Sequence, residues 1–461
     1  MSGNRQHGSA TENVPARFET NGNFGIGSPK FETPVEIGSF SLDIKTEFEN
    51  SKKSMRYFIK PPNPKRVNFD LRKGYDTMIK NEKGRESHIL NILHWIVENL
   101  EKFPTKGRKC TKGPNKGASG RDIPKKDKGN SASSFSQHSD DQSQIDRELA
   151  DVQTGLSDMK ISKEGDSEAS APSDMSADGE PRTLNTNFVC RRGLLAKVMC
   201  TPYEEREDWI IAVVLHNGTY YLNEIETEQK KQDKAKMAEQ KKQNEARMTE
   251  QKKQDEARIT DDEMCCWGSK FEQYLKSDSK DGVPDPDAQY NNCEAFYTVV
   301  RTQLNNHSLV FSGEVDALNT DKEKGSYYVQ FKTNREFVHQ GHVKTFKRFK
   351  VRNWWTQNYI IGVQEIVCGF RDDKGIVHRL EFYKTKDLPN LAKDLYNPWK
   401  PNVCFNFLDQ FLSFIKSAIT TDDHKKVHIL KWSPGGPVRC SQPLVDSEYN
   451  FLPDWYTDAL K

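Results

Sequence analysis

The residue types that do hydrolytic chemistry gather in Gly313–Lys332. Glu314-Val315-Asp316 is followed, after a polar loop, by Gln330-Phe331-Lys332. Leu309-Val310-Phe311 leads into the first set and Tyr327-Tyr328-Val329 into the second, a pattern that predicts two strands of a hairpin. Strand side chains alternate faces, so Glu314 shares a face with Asp316, and Gln330 with Lys332. Val315 and Phe331 point the other way, into a core. If the register sets the polar pairs side by side, one face carries two carboxylates, an amide and a lysine. Such a cluster is costly unless a cation neutralises it or solvent reaches it. Carboxylate and amide oxygens suit Mg²⁺ or Mn²⁺, and a neighbouring lysine can hold a phosphate or orient a water. A lone Glu-x-Asp is more often the solvated outer face of a hairpin, so the rest of the chain must decide.

Several elements are expected to position this stretch. Val35–Asp43 alternates as an edge strand, and the apolar stripe Ile89, Ile92, Leu93, Ile96, Val97 and Leu100 predicts a packing helix from Ser87 to Leu100. Phe188–Met199 reads as a helix. Trp209–Leu215 and Thr219–Leu222 read as strands joined at Asn217-Gly218, a strong hairpin signal. A helix starting near Trp267 carries Glu272. Gly341–Asn358 places basic residues among aromatics, which fits either a phosphate-tracking wall of an RNA channel or a core helix with a basic outer face. Strands at Ile366–Phe370 and Val427–Trp432 and a helix at Phe405–Ile419 complete the ordered part.

The 461 residues exceed one ordinary domain of about 100–200 residues, but only 34% are hydrophobic and 30% are charged. Residues 1–33 are expected to be disordered, and 106–182 to be a low-complexity insertion, first Lys/Gly-rich and then Ser/Asp/Glu-rich. Residues 34–105 and 183–461 then make up one catalytic domain. It is interrupted at 228–260 by an eleven-residue charged repeat, Glu-Gln-Lys-Lys-Gln at each start, expected to form an exposed helix. The repeat and the acidic insertion are the candidates for a protein partner. Nine cysteines without zinc spacing read as reduced thiols, and no apolar run is long enough for a membrane span. A soluble intracellular protein is expected.

The ordered parts resemble the decapping exoribonuclease (DXO) family. The resemblance rests on Ile37–Asp43, Asn68–Tyr75, Arg192-Gly193, Thr201–Glu204, Gly268–Tyr274, Phe311–Asp316, Phe331–Thr333, Trp354–Gln357 and Trp432–Val438, which run in the family's order. It implies an α+β fold of two packed mixed β-sheets flanked by helices, with a nuclease core of the restriction-enzyme type. It implies removal of incomplete or NAD caps or of 5′ pyrophosphate, then 5′→3′ exoribonuclease action on RNA 5′ ends, in the nucleus and also in the cytoplasm. The implied metal site, for two Mg²⁺ or Mn²⁺ ions, falls on Glu272, Glu314, Asp316, Gln330 and the carbonyl of Phe331. Lys332 and Gln357 would contact the scissile phosphate or the attacking water. Arg192, flanked by Arg191 and Gly193, would hold RNA phosphates, with Tyr297 further along the RNA path.

One position departs from the family. Gln330 stands where the family has a glutamate, which removes one negative charge from the site. A lost outer partner costs about 10–100-fold in affinity or activity, and a ligand charge should cost at least as much. Two other readings therefore stand beside the enzyme: an RNA 5′-end binder built on a disabled nuclease, and a scaffold acting through its charged insertions.

Overall fold

The computed structural model describes residues 16–81, 89–103, 181–227, 259–321, 323 and 325–461, together with positions 231, 232, 236 and 239. Strands β1 (Arg17–Phe18) and β2 (Val35–Leu42) precede helix α1 (Leu90–Glu98). Strand β3 (Phe188–Arg191) runs straight into α2 (Arg192–Cys200), and β4 (Trp209–His216) and β5 (Thr219–Ile225) form a hairpin. Helix α3 (Asp261–Gln273) leads to four successive strands, β6 (Ala295–Leu304), β7 (His307–Glu314), β8 (Ala317–Asp321) and β9 (Gly325–Arg335). Next come α4 (Val351–Tyr359), β10 (Glu365–Arg371), β11 (Ile376–Lys384) and α5 (Pro401–Ala418). The chain closes with β12 (Lys426–Trp432), β13 (Val438–Cys440) and α6 (Asp454–Ala459).

These strands form two mixed sheets. The larger runs β1-β13-β12-β4-β5-β3-β7-β6-β2 and ends on the short strand Phe48–Glu49. The smaller runs from Phe69–Asp70 through β11, β10, β9 and β8 to Tyr57–Phe58 and Lys276–Ser277. Strand β4, Trp-Ile-Ile-Ala-Val-Val-Leu-His, is buried along nearly its whole length because apolar layers cover both faces of its sheet. Its turn is the one read from the sequence. Asn217 and Gly218 both have positive φ, 48° and 76°, as a two-residue hairpin turn requires.

Helices α2, α4 and α5 fill the main core, which takes one face of each sheet. Helices α1 and α6 cover the other face of the large sheet, with Ile92, Leu93, Trp95 and Ile96 as the buried stripe of α1. Helix α3 covers the outer face of the small sheet through Trp267 and Phe271. It begins at Asp261, earlier than the apolar pattern suggests. The Thr260 hydroxyl accepts from the Glu263 N–H at 3.1 Å, and Asp261, Asp262 and Glu263 face the positive helix end.

Four expectations need correction. Phe188–Arg191 is a strand, not the first turn of a helix, because its apolar side chains are buried in the sheet between β5 and β7. Residues 16–33 are ordered: β1 pairs with β13, and Phe24 is buried against Phe407, with ring centroids 5.0 Å apart. The central hairpin uses β8, in what read as loop, rather than Glu314–Asp316, as its first strand. Val315 and Phe331 therefore enter different cores, the main one and the one under α3. Residues 1–15, the insertion at 106–182 apart from 181 and 182, and the repeat at 228–260 apart from the four positions above, Ile259 and Thr260 lie outside the described residues.

Candidate active site

Between β7 and β8 the chain crosses from the large sheet to the small one, with Val315-Asp316 as the crossing. Two glycines let neighbours approach it. A Cβ at Gly313 would stand 2.3 Å from Ile361 Cδ1 and 2.8 Å from Arg192 Cδ, so only glycine admits Arg192 against β7. There Arg192 Nη1 donates to the Glu314 carbonyl at 2.7 Å. A Cβ at Gly369 on β10 would stand 2.4 Å from the Phe271 ring, so its absence seats α3, and with it Glu272, on the small sheet.

The β8–β9 ladder ends at Ala317–Val329. Beyond it the Phe331 N–H has no strand to meet, and a buried N–H needs an acceptor. Asp316 supplies one. Its Oδ2 accepts from the Phe331 N–H at 2.6 Å, and its Oδ1 accepts from Gln330 Nε2 at 2.6 Å. The Phe331 ring packs on Phe58 and Phe271, at 5.6 and 6.3 Å between centroids, which turns Gln330 and Lys332 to the opposite face as strand alternation requires.

Gln330 is 5% exposed, and its Oε1 is buried with no hydrogen-bond partner. An orphaned amide oxygen beside a buried carboxylate is a donor that a hard cation would take. The electrostatics of Asp316 agree. Burial, with Glu272 and Glu314 adding like charge, pushes its carboxyl up to about 7, against the opposing pull of Lys332 and Lys276. Glu272, Glu314, Lys332 and Lys276 thus all act on Asp316. Among the described residues no three His, Cys, Asp or Glu side chains are gathered closely enough to hold an ion on their own. Glu272 is turned to Lys276 Nζ at 2.6 Å, and Asp316 to β9.

The phosphate-binding candidates sit beside this crossing. Arg191 ends β3 opposite Ser312, Arg192 opens α2, and exposed Gly193 follows. Gly193 and Gln357 of α4 line the same cleft of about 160 Å³, with Lys197, Asn353 and Thr356 on its walls. Tyr297 lies opposite Glu314 in the ladder but is only 6% exposed, with its ring stacked on Phe40 at 4.9 Å. It was expected as a station on the RNA path. The structure buries its ring and sets it close enough to act on Arg192.

The basic segment departs from the channel-wall expectation. Lys347 pairs with Asp394 at 2.6 Å, Arg348 donates to the Tyr396 carbonyl at 2.8 Å, and Lys350 donates to Asn334 Oδ1 at 2.8 Å. Arg352 is 2% exposed, donates to the Tyr203 carbonyl at 3.0 Å, and lies over the rings of Tyr203 and Phe349. These cations are tied to neighbours around α4, and the buried Arg352 is the one that packs into the fold. Lys276 is the residue that sequence reasoning missed. Its signal was present, since a Glu and a Lys four apart at a helix end are neighbours in space.

Comparison with known proteins places the fold in a family. A family model described as RAI1-like PD-(D/E)XK nuclease matches residues 32–114 and 133–457. The decapping and exoribonuclease protein of Rattus norvegicus is 30% identical over 438 residues, covering 94% of this chain and 86% of that protein. Rai1 of Scheffersomyces stipitis, solved with (3′-NADP)⁺ and a calcium ion, superposes with a TM-score of 0.62 at 17% identity, over 94% of this chain and 97% of that one. Rai1 of Candida albicans, solved with pU5 and Mn²⁺, gives 0.61 at 19% identity, over 97% and 99%. The two mixed sheets flanked by helices fit this match, and the chain belongs to the RAI1-like PD-(D/E)XK nuclease family.

Proposed function

We propose that this protein is a metal-dependent hydrolase of RNA 5′ ends, removing incomplete or NAD caps or 5′ pyrophosphate and then degrading the RNA 5′→3′. The carrying observation is the buried corner where Asp316 holds the Phe331 N–H while Gln330 Oε1 is left without a partner, with Glu272, Glu314 and Lys332 around it. The names of the relatives, decapping and exoribonuclease protein above all, support the reaction class.

Asp316, Glu314, Glu272, the Gln330 amide oxygen and the Phe331 carbonyl are the groups that would hold a divalent cation, Mg²⁺ or Mn²⁺. Such a cation, when bound, makes a water acidic enough to attack and takes up charge from the phosphoryl oxygens. Lys332 orients the scissile phosphate or the attacking water. The Gln357 amide, on the cleft it shares with Gly193, offers a second contact to the same group. Arg192, fixed by its bond to the Glu314 carbonyl, and Arg191 beside it draw the RNA phosphates to the N-terminus of α2, where backbone N–H groups add to the attraction.

The test is incubation of purified protein with 5′-monophosphate, 5′-triphosphate and NAD-capped RNA, in Mg²⁺ and in Mn²⁺. Metal-dependent release of the end group or of mononucleotides is expected. RNA binding without hydrolysis of any of the three in either metal would replace this reading with that of a 5′-end binder.

A further inference from the structure

Around Asp316, three carboxylates, its own and those of Glu272 and Glu314, face two ammonium groups, Lys276 and Lys332. The Arg192 guanidinium also acts on Glu314 and Asp316, so even with all three carboxylates ionised the site carries no net negative charge before any ion enters, because position 330 contributes a neutral amide. One divalent cation already makes the site positive. A second would add two further charges with no ligand charge left to offset them, and like charges so close repel strongly where water is scarce.

Glu272 is also already taken. Lys276 Nζ lies 2.6 Å from its Oε2, and the two side chains are only 24% and 22% exposed, so water screens the pair in part. The lysine is not a loose surface chain. It sits in the short strand Lys276–Ser277, paired with Tyr57–Phe58 at the end of the small sheet, and Leu275 just before it is fully buried. Its backbone is thus fixed one turn beyond Glu272, and its charge reaches Asp316 as well.

We infer that this site takes a single divalent cation, at Asp316, Glu314 and the Gln330 amide oxygen, and that Lys276 fills the electrostatic place of a second ion at Glu272. The inference rests on the metal site proposed above and departs from the two ions that the family resemblance implies. Lys276 competes with metal for Glu272 Oε2, and with Lys332 it supplies the fixed positive charge that a second ion would bring to a transferring phosphoryl group. Lys276 is a positioning residue for Glu272, and Gln330 removes the charge that would have made a second ion favourable.

Metal binding without RNA tests this directly. Mn²⁺ titrated into the full-length protein, followed by calorimetry and by the spin resonance of free Mn²⁺, is expected to give one ion per chain. Lys276→Met frees Glu272 and is expected to bind Mn²⁺ about tenfold more tightly, while Lys276→Arg keeps the parent's affinity. Lys276→Met combined with Gln330→Glu is expected to take up two ions. Melting temperatures of the variants close to the parent's establish that they are folded. Two ions in the parent, or an unchanged Kd in Lys276→Met, overturns the single-ion inference and leaves the metal site standing. No Mn²⁺ bound by the parent removes the metal site itself, and the inference with it.

Discussion

At the sheet crossing a buried amide oxygen is left without a partner among like charges, whereas in the segment from Gly341 to Asn358 Lys347, Arg348, Lys350 and Arg352 have internal acceptors. Both stretches look chemical in the sequence. The first leaves Gln330 Oε1 without a partner and holds Asp316 with a carboxyl raised to about 7. The second hands Lys347 to Asp394, Arg348 to the Tyr396 carbonyl, and Arg352 to the Tyr203 carbonyl. Basic side chains tied to internal acceptors serve stability, whereas an orphaned oxygen inside a cluster of like charges serves a cation. The same difference separates Glu272, already satisfied by Lys276, from Gln330, which is not.

The most direct attack on this comparison is Asp316→Ala. Loss of a carboxylate at the crossing is expected to lower RNA hydrolysis on the order of 100-fold or more, in a protein that still folds but melts at a lower temperature because the Phe331 N–H and Gln330 Nε2 lose their acceptor. Turnover equal to the parent's would sink the site. Arg352→Ala is the counterpart in the other region. Removing a buried cation from its acceptor and its two ring contacts is expected to cost about 3 kcal/mol in a denaturant titration, while the rate per folded molecule stays within a few-fold. A rate collapse at unchanged stability would return Arg352 to the RNA path.

Gln330→Glu sharpens the first region. Restoring a carboxylate is expected to raise hydrolysis about tenfold at limiting Mg²⁺, measured as initial rate against metal concentration. A parent that is inert and a variant that cleaves would mark the parent as a 5′-end binder.

A pH titration of the metal-free protein reads the same corner. The Asp316 carboxyl, about 7 in the folded chain, stands above its ordinary value of 3.8, so the folded state keeps a proton that the unfolded chain has released. The stability from this group is full below about pH 4 and is lost as the pH rises through about 7. The melting temperature of the metal-free parent should therefore fall between pH 5 and pH 8 more than that of Asp316→Asn, and parallel curves would refute the shift. The smallest effect is expected at Lys347→Ala. Its pair with the largely exposed Asp394 contributes less than about 1 kcal/mol, so cleavage and melting should both stay near the parent's.

Local pattern determined a good part of this protein. The Asn217-Gly218 turn, the buried stripe of α1 and the alternation that sends Phe331 inward while Gln330 and Lys332 face the site are consequences of short-range geometry, and each is legible in a few consecutive residues. The oxygen-rich set at 314, 316 and 330 was legible for the same reason. Which groups meet was decided only by tertiary structure. Glu272 reaches Asp316 because Gly369 admits Phe271, Arg192 reaches Glu314 because Gly313 has no side chain, and Asp316 reaches the Phe331 N–H because the β8–β9 ladder stops short. Lys347, Arg348, Lys350 and Arg352 found acceptors far along the chain, at 394, 396, 334 and 203, and no periodicity within their own segment encodes those partners. Side-chain type and spacing set what a residue can do. Contacts across long sequence separations set whether its charge is satisfied or left for a ligand.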